Sequence, residues 1–320
     1  MTKPYLEVDL AKFGPAAPPS AALSLEEARA YCRRLAQEHY ENFSVTHCLL
    51  PRELRQHFCN IYSYCRWADD LADEIASPEE SLALLDWWRG EVEELFSSPA
   101  RRASEGNASI LAHRDSLRHP VFIALADTAG EFDIPPRPFL DLLAAFRQDQ
   151  TQTRYQTFAE LLDYCRHSAN PVGRLVLYLG RSHGEENTRL SDSICTGLQL
   201  ANFWQDVARD YDRGRIYLPQ EDLARFGWSE ERFAARRADD EFRELLKFEV
   251  SRTAECLQAG QPLVKLVSPQ LRVSVRLFIE GGLAILAAIR RQEYDVWSRR
   301  PVVSKWTKLG LLARAFLRRA

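Results

Sequence analysis

The stretch Tyr62-Ser-Tyr-Cys-Arg66-Trp-Ala-Asp69-Asp70-Leu-Ala-Asp73-Glu74 decides the reading of this chain. Its Leu, Ala and aromatic content favours a helix. At about 100° per residue, Tyr62, Arg66, Asp69 and Asp73 fall within an arc of roughly 60°. Asp70 and Glu74 sit toward the edge of that face, as supporting or solvent-facing groups. A second stretch, Gln199-Leu-Ala-Asn202-Phe-Trp-Gln-Asp206-Val-Ala-Arg-Asp210, steps by three, four and four residues. That spacing puts Gln199, Asn202, Asp206 and Asp210 in an arc of roughly 80°. Two such faces across a cleft would hold four carboxylates, and like charges about 4 Å apart repel by about 4 kcal/mol per pair at an effective dielectric near 20. Carboxylate and amide oxygens suit hard divalent ions, and magnesium binds through one or two carboxylates plus substrate phosphates. The pattern therefore predicts a magnesium site for a phosphorylated ligand, with Arg66 as an added donor. A single DxxxD is more simply a solvated acidic helix face. Two together, one of them a continuous row of oxygen-bearing side chains, seldom arise from surface composition.

Outward from these motifs the chain is punctuated as helices. Ser24-Leu-Glu-Glu27, Ser77-Pro-Glu-Glu80 and Thr157-Phe-Ala-Glu160 have the form of capping boxes. Breaks are predicted near 97–109, 131–138, 180–190, 213–219, 260–262, 268–269 and 300–301, where Gly, Pro and polar residues gather. Strand-like alternation and a glycine-rich βα loop are both absent from the sequence, so the fold class is all-α. The 320 residues, 46% apolar, suffice for one large domain. We read 1–23 as a flexible leader, 24–300 as a single helical domain with a central apolar cavity, and 301–320 as a basic amphipathic segment. Formal charge is −3, with 42 basic against 45 acidic residues, which excludes the positive excess of a nucleic-acid binder. The seven cysteines are scattered with no CxxC, which argues against a disulfide framework or a zinc site and fits a reducing cytoplasm. The start of the chain does not read as a signal peptide, and no run is long and apolar enough to span a bilayer.

These residues resemble the squalene and phytoene synthase family of head-to-head prenyl synthases over roughly residues 35 to 310. His39-Tyr-Glu-Asn42-Phe43 resembles the family's His-Ser-x-Ser-Phe segment, and Tyr62 and Arg66 match its phosphate-contacting Tyr and Arg. Tyr164-Cys-Arg-His-Ser-Ala169-Asn170-Pro171-Val-Gly173 stands in place of a Tyr...Ala-Gly-x-Val-Gly segment. Arg215-Ile-Tyr217-Leu-Pro219 matches Arg-x-Tyr-x-Pro, and Arg299 falls where the family has a late diphosphate-facing Arg. The resemblance implies an isoprenoid-synthase-type bundle and two or three Mg2+ ions with bound diphosphate. The metal ligands it implies are Asp69, Asp73, Asn202, Asp206 and Asp210. By the same resemblance Asp69, Asp73, Asp206, Asp210 and Tyr164 are catalytic, and His39, Asn42, Phe43, Tyr62, Arg66, Gln199, Asn202, Arg215, Tyr217 and Arg299 bind substrate.

Ala169-Asn170-Pro171, Gln205 and Gly282 depart from the commoner family pattern. The strings His39-Tyr-Glu-Asn-Phe43, Ser168-Ala-Asn-Pro-Val-Gly173 and Asn202-Phe-Trp-Gln-Asp206 are similar to the bacterial hopanoid-pathway branch that makes hydroxysqualene. There a partner enzyme couples two farnesyl diphosphates, while this one ionises presqualene diphosphate, rearranges the cation and lets water capture it, with no NADPH expected. Complete head-to-head synthesis from farnesyl or geranylgeranyl diphosphate is the alternative, and a non-catalytic membrane-associated member is a third reading. The seven histidines show no metal-ligand spacing and read as surface or locally hydrogen-bonded, His39 excepted. From Val296 onward seven basic and no acidic residues alternate with apolar ones. That pattern suits peripheral contact with the inner face of the cytoplasmic membrane, or equally a helix packed on the bundle with a solvated basic face.

Overall fold

The computed structural model describes residues 4–18, 23–38, 51–97, 117–304, 306, 307, 309–311 and 314. Among them there is no strand, and the all-α expectation holds. In chain order the helices are α1 (Pro4–Phe13), α2 (Leu25–Glu38), α3 (Arg52–Asp73), α4 (Pro78–Phe96), α5 (Pro120–Glu131) and α6 (Arg137–Gln148). There follow α7 (Phe158–Ser168), α8 (Asn170–Leu179), α9 (Glu185–Asp212), α10 (Gln220–Arg225), α11 (Asp240–Ala259), α12 (Leu263–Leu266) and α13 (Pro269–Arg291), with a 3-10 turn at Glu230–Ala235. The contacts gather into two compact units, Met1–Thr151 and Gln152–Ala320.

In the first unit α3 is central and packs on α2, α4, α5 and α6. Its inward row, Leu54, Phe58, Ile61, Tyr64, Trp67 and Leu71, recurs at helical spacing and is buried. Trp67 is fully buried, and its indole Nε1 donates to Tyr31 Oη at 2.9 Å. Tyr31 in turn donates to Asp9 at 2.6 Å. His119 caps α5 by accepting from the Val121 amide, and it meets Trp67 and Trp88 edge-on at 4.7 and 4.8 Å. Burial pushes its pKa down to about 3, which leaves the ring neutral. Asn60 donates to Ala124 O and Thr128 Oγ1, and the His57 ring lies 3.0 Å from the same hydroxyl. His57, Asp127 and Glu131 also come within 4.8 Å of one another. Arg29 pairs with Asp127 at 2.7 Å, so this group ties α2, α3 and α5 together.

Residues 4–13 differ from the flexible leader expected there. They form α1, whose Leu6 is fully buried and whose Phe13 ring meets Tyr31 at 5.7 Å. Two apolar anchors and the Asp9–Tyr31 bond dock a segment too short to show a periodic pattern. All three expected N-caps form, and the box closes reciprocally at Ser24; Ser77 Oγ accepts from Glu80 N at 3.3 Å, and the Glu160 carboxylate accepts from Gln156 N rather than from its cap residue. Ser24 Oγ accepts from the Glu27 amide while Glu27 accepts from Ser24 N at 2.9 Å, and Thr157 Oγ1 accepts from Glu160 N at 3.1 Å.

In the second unit α9 is central, packing on α7, α8, α11, α12 and α13. Two glycines let neighbours approach around Leu257: a Cβ on Gly197 would lie 2.7 Å from its Cγ, and one on Gly282 2.9 Å from its Cδ1. Packing thus accounts for the glycine at 282. Trp204, fully buried, donates to Thr253 Oγ1 at 2.8 Å, and that hydroxyl donates to Glu249 O at 2.7 Å. The described cysteines are all unpaired in disulfide terms, and no helix among the described residues is long and apolar enough to cross a membrane.

Candidate active site

The first motif lies on the last three turns of α3, on the face opposite the core row. Tyr62, Arg66 and Asp69 are half-buried, and Asp73 is exposed at the helix end. Asp70 is fully buried and takes the supporting one of the two positions expected for it. It accepts a bidentate pair from Arg66, through Nε at 2.9 Å and through Nη2, while Arg66 Nη1 is 3.3 Å from Asp69. Arg66 is therefore aimed by a carboxylate one turn ahead of it. The i,i+4 spacing on one helix makes that pair possible without help from elsewhere.

The second motif lies on α9. Asn202 is exposed, Gln199 and Asp210 are half-buried, and Asp206 is 8% exposed. The helix departs from helical geometry at Asp206, with φ −108° and ψ 15°. Arg300 grips that residue, Nε to Oδ1 at 2.5 Å and Nη2 to Oδ2 at 2.8 Å. Asp210 Oδ2 is buried and has no hydrogen-bond partner among the described residues. Burial first, and then the nearby Asp206 charge, raise the Asp210 pKa to about 7, against the opposing effect of Arg213, Arg215 and Arg300. Two carboxylates and an amide along one face are hard oxygen donors, and a buried carboxylate oxygen without a partner is what a cation would satisfy. These residues fit a divalent metal.

An aromatic wall flanks this face. Tyr217 stacks on Phe203 at 3.8 Å and 10°, and Tyr164 lies 6.0 and 6.2 Å from those two rings. Tyr217 and Phe203 line a narrow crevice with Asp210 and Arg215. Arg215 is positioned through its backbone, whose amide donates to Asp210 O at 2.8 Å. Arg299 is exposed and its carbonyl accepts from Gln292, so the arginine on the second motif is its neighbour, Arg300. The sequence pattern marks Arg300 only as one of the basic residues of the C-terminal segment. A basic residue beside another in a basic tail carries no signal that distinguishes it. His39, Asn42 and Phe43 lie outside the described residues, as do Lys305, Lys308, Arg318 and Arg319 of the C-terminal segment. Within that segment Trp306 and Leu309 are exposed and Leu311 is buried.

The architecture is that of squalene synthase-type helical enzymes. A solved squalene synthase, HpnC from Alicyclobacillus acidocaldarius, matches with a TM-score of 0.76 and 42% identity over 85% of this chain and 96% of that one. The chain belongs to the squalene/phytoene synthase family, whose profile matches residues 36–307. A phytoene synthase of Arthrospira platensis is 31% identical over 90% of this chain and 92% of its own length. A hydroxysqualene synthase of Sinorhizobium fredii (strain NBRC 101917 / NGR234) is 31% identical over 81% of this chain and 82% of its own. A dehydrosqualene synthase with bound ligand shares the fold, at a TM-score of 0.78 and 23% identity. Members of this family are enzymes that use prenyl diphosphates.

Proposed function

We propose that this protein converts presqualene diphosphate and water to hydroxysqualene and diphosphate. The observation that carries the reading is the buried, unpartnered Asp210 oxygen beside Asp206, on a helix face bordered by the Tyr164, Phe203 and Tyr217 rings. Asp69 and Asp73 on α3, with Asn202, Asp206 and Asp210 on α9, are the residues that would hold magnesium. Magnesium bound to them supplies neutralisation of the charge that develops on a departing diphosphate. Arg66, held in place by Asp70, offers its remaining donor edge to phosphate oxygens, with Tyr62 one turn before it. The aromatic wall gives a developing carbocation π faces in place of lone pairs that would quench it. Water captures the rearranged cation and NADPH is not consumed. The basic segment 301–320 keeps the enzyme peripheral on the inner face of the cytoplasmic membrane, near a very apolar product.

The 31% identity to a phytoene synthase over nine-tenths of the chain favours a second reading, complete head-to-head synthesis from farnesyl or geranylgeranyl diphosphate. The two separate on products. Purified protein with magnesium is incubated with presqualene diphosphate, and in parallel with each prenyl diphosphate, without NADPH, and the products are identified by mass spectrometry. Hydroxysqualene from presqualene diphosphate alone supports the first reading. Consumption of farnesyl or geranylgeranyl diphosphate replaces it with the second.

A further inference from the structure

Away from the acidic rows, one buried histidine presents a ligand atom that the proposed chemistry does not use. His57 lies early on α3, about 18 Å along the helix from Asp69. It is 5% exposed, and the Phe132 ring meets it edge-on at 4.8 Å. Its Nδ1 lies 3.0 Å from Thr128 Oγ1. That hydroxyl donates its own proton to Ala124 O at 3.2 Å and accepts from Asn60 Nδ2 at 2.9 Å, so the network assigns the imidazole proton to Nδ1. The lone pair is then on Nε2. Burial, outweighing Glu131 and Asp127, holds the His57 pKa below its ordinary value and keeps the ring neutral.

Nε2 faces two carboxylates on the neighbouring helix. Asp127 and Glu131 stand one turn apart on α5, and one ligand atom from each of the three residues lies within 4.8 Å of the others. A lone pair opposite carboxylate oxygens is repulsive unless something positive lies between them. A proton would draw Nε2 and Glu131 Oε2 to about 2.7–2.9 Å, the length of a charge-assisted bond. They are 3.4 Å apart. Two zinc bonds of about 2.05 Å meeting at a tetrahedral angle span about 3.3 Å, so the separation matches that of two ligands on one metal.

Arg29 reaches the group from α2 and pairs with Asp127 through Oδ2 at 2.7 Å, a bond that does not use Oδ1. Two carboxylates against one guanidinium still leave negative charge for a cation. Glu131 is half exposed, which gives an ion its route in from solvent. An imidazole nitrogen with two carboxylate oxygens suits zinc better than magnesium, and Thr128 is the outer partner that fixes the tautomer of a metal-bound histidine. The sequence shows no histidine motif here because the nitrogen and the oxygens come from different helices.

We infer that His57, Asp127 and Glu131 form a zinc site that staples α3 to α5, with the two carboxylates swinging in to close the remaining distance and water as the fourth ligand. It does not depend on the diphosphate chemistry proposed above.

The test is Zn2+ binding to the full chain by calorimetry in excess Mg2+, which competes for the acidic rows, and then the absorption spectrum of the Co2+ form. Glu131→Gln should melt as the metal-free parent does, since that side chain is half exposed, yet bind zinc at least about tenfold more weakly, the scale of losing even an outer partner. His57→Gln should weaken binding further, and Asp210→Asn should leave it unchanged. Co2+ should give the intense visible bands of a tetrahedral site without the near-ultraviolet band of a thiolate ligand. No zinc uptake by the parent overturns the site and leaves a proton as the bridge. Uptake that both Glu131→Gln and His57→Gln match, uptake that Asp210→Asn abolishes, or a thiolate band overturns it as well, since each puts the metal elsewhere.

Discussion

The two acidic motifs are alike in framework and unlike in charge. Each rides on the central helix of its unit, and each is preceded by a fully buried tryptophan two residues before its first aspartate, Trp67 before Asp69 and Trp204 before Asp206. Each indole N–H is tied to a hydroxyl on a neighbouring helix, Tyr31 in one and Thr253 in the other. The arginine that binds an aspartate bidentately, however, lies on the same helix in the first motif and far along the chain in the second, where the local Arg209 stays 3.8 Å from Asp206. Arg66 finds Asp70 one turn along its own helix, whereas Asp206 waits for Arg300, 94 residues on. A shared scaffold thus presents one acidic face whose bidentate arginine comes from its own helix, and one whose bidentate arginine comes from a distant segment.

The sharpest break in the comparison should come from Asp210. Asp210→Asn removes a charge that repels Asp206 and whose buried Oδ2 has no hydrogen-bond partner among the described residues, so its melting temperature should stay level or rise. Turnover of presqualene diphosphate, read by mass spectrometry, should nevertheless fall by roughly two to three orders of magnitude, the scale seen when a group that stabilises transition-state charge is removed. Near-normal turnover would refute a role for the second motif in metal binding.

Next in size is the contrast between the two arginine pairs. Asp70 is fully buried, so Asp70→Asn leaves Arg66 short of its counter-charge and should cost about 3 kcal/mol in urea unfolding. Arg300 is a third exposed, and Arg300→Gln should cost under about 1 kcal/mol. Equal costs would mean that the distant pair is as structural as the local one, and that the difference drawn between the motifs is mistaken.

What could be read without coordinates follows the same division. Helical periodicity, caps and both oxygen-bearing faces rest on spacings of three and four residues, so the fold class and the alignment of Asn202, Asp206 and Asp210 were legible. Asp70 was placed only at the edge of its face, because spacing says where a residue points and not whether a neighbouring helix covers it. Arg300 was invisible, since nothing local sets it apart from Arg299. The kink at Asp206 was equally hidden, in a stretch with neither Pro nor Gly to announce it. The docking of α1 was missed because its anchors, Leu6 and Phe13, are too few to make a pattern.

The last contrast concerns the tie beneath Trp204. Glu249, whose carbonyl accepts from Thr253, is fully buried with Arg252 across its carboxylate, and Arg252 also serves Asp222. One guanidinium shared by two acids leaves an excess negative charge, and burial first, with Asp222 adding to it, pushes the Glu249 pKa from 4.5 up to about 8 against the pull of Arg252. Between those two values the folded protein keeps a proton that the unfolded chain has lost. Stability from this group is therefore full below pH 4.5 and declines as pH rises toward 8. Glu249→Gln keeps the shape and removes the titration, so its urea midpoint should change less between pH 5 and pH 9 than the parent's, and the variant should gain most at the alkaline end. Parallel pH profiles would show instead that Arg252 fully neutralises Glu249 in the fold. The second motif's scaffold would then be as settled in charge as the first motif's own Arg66–Asp70 pair.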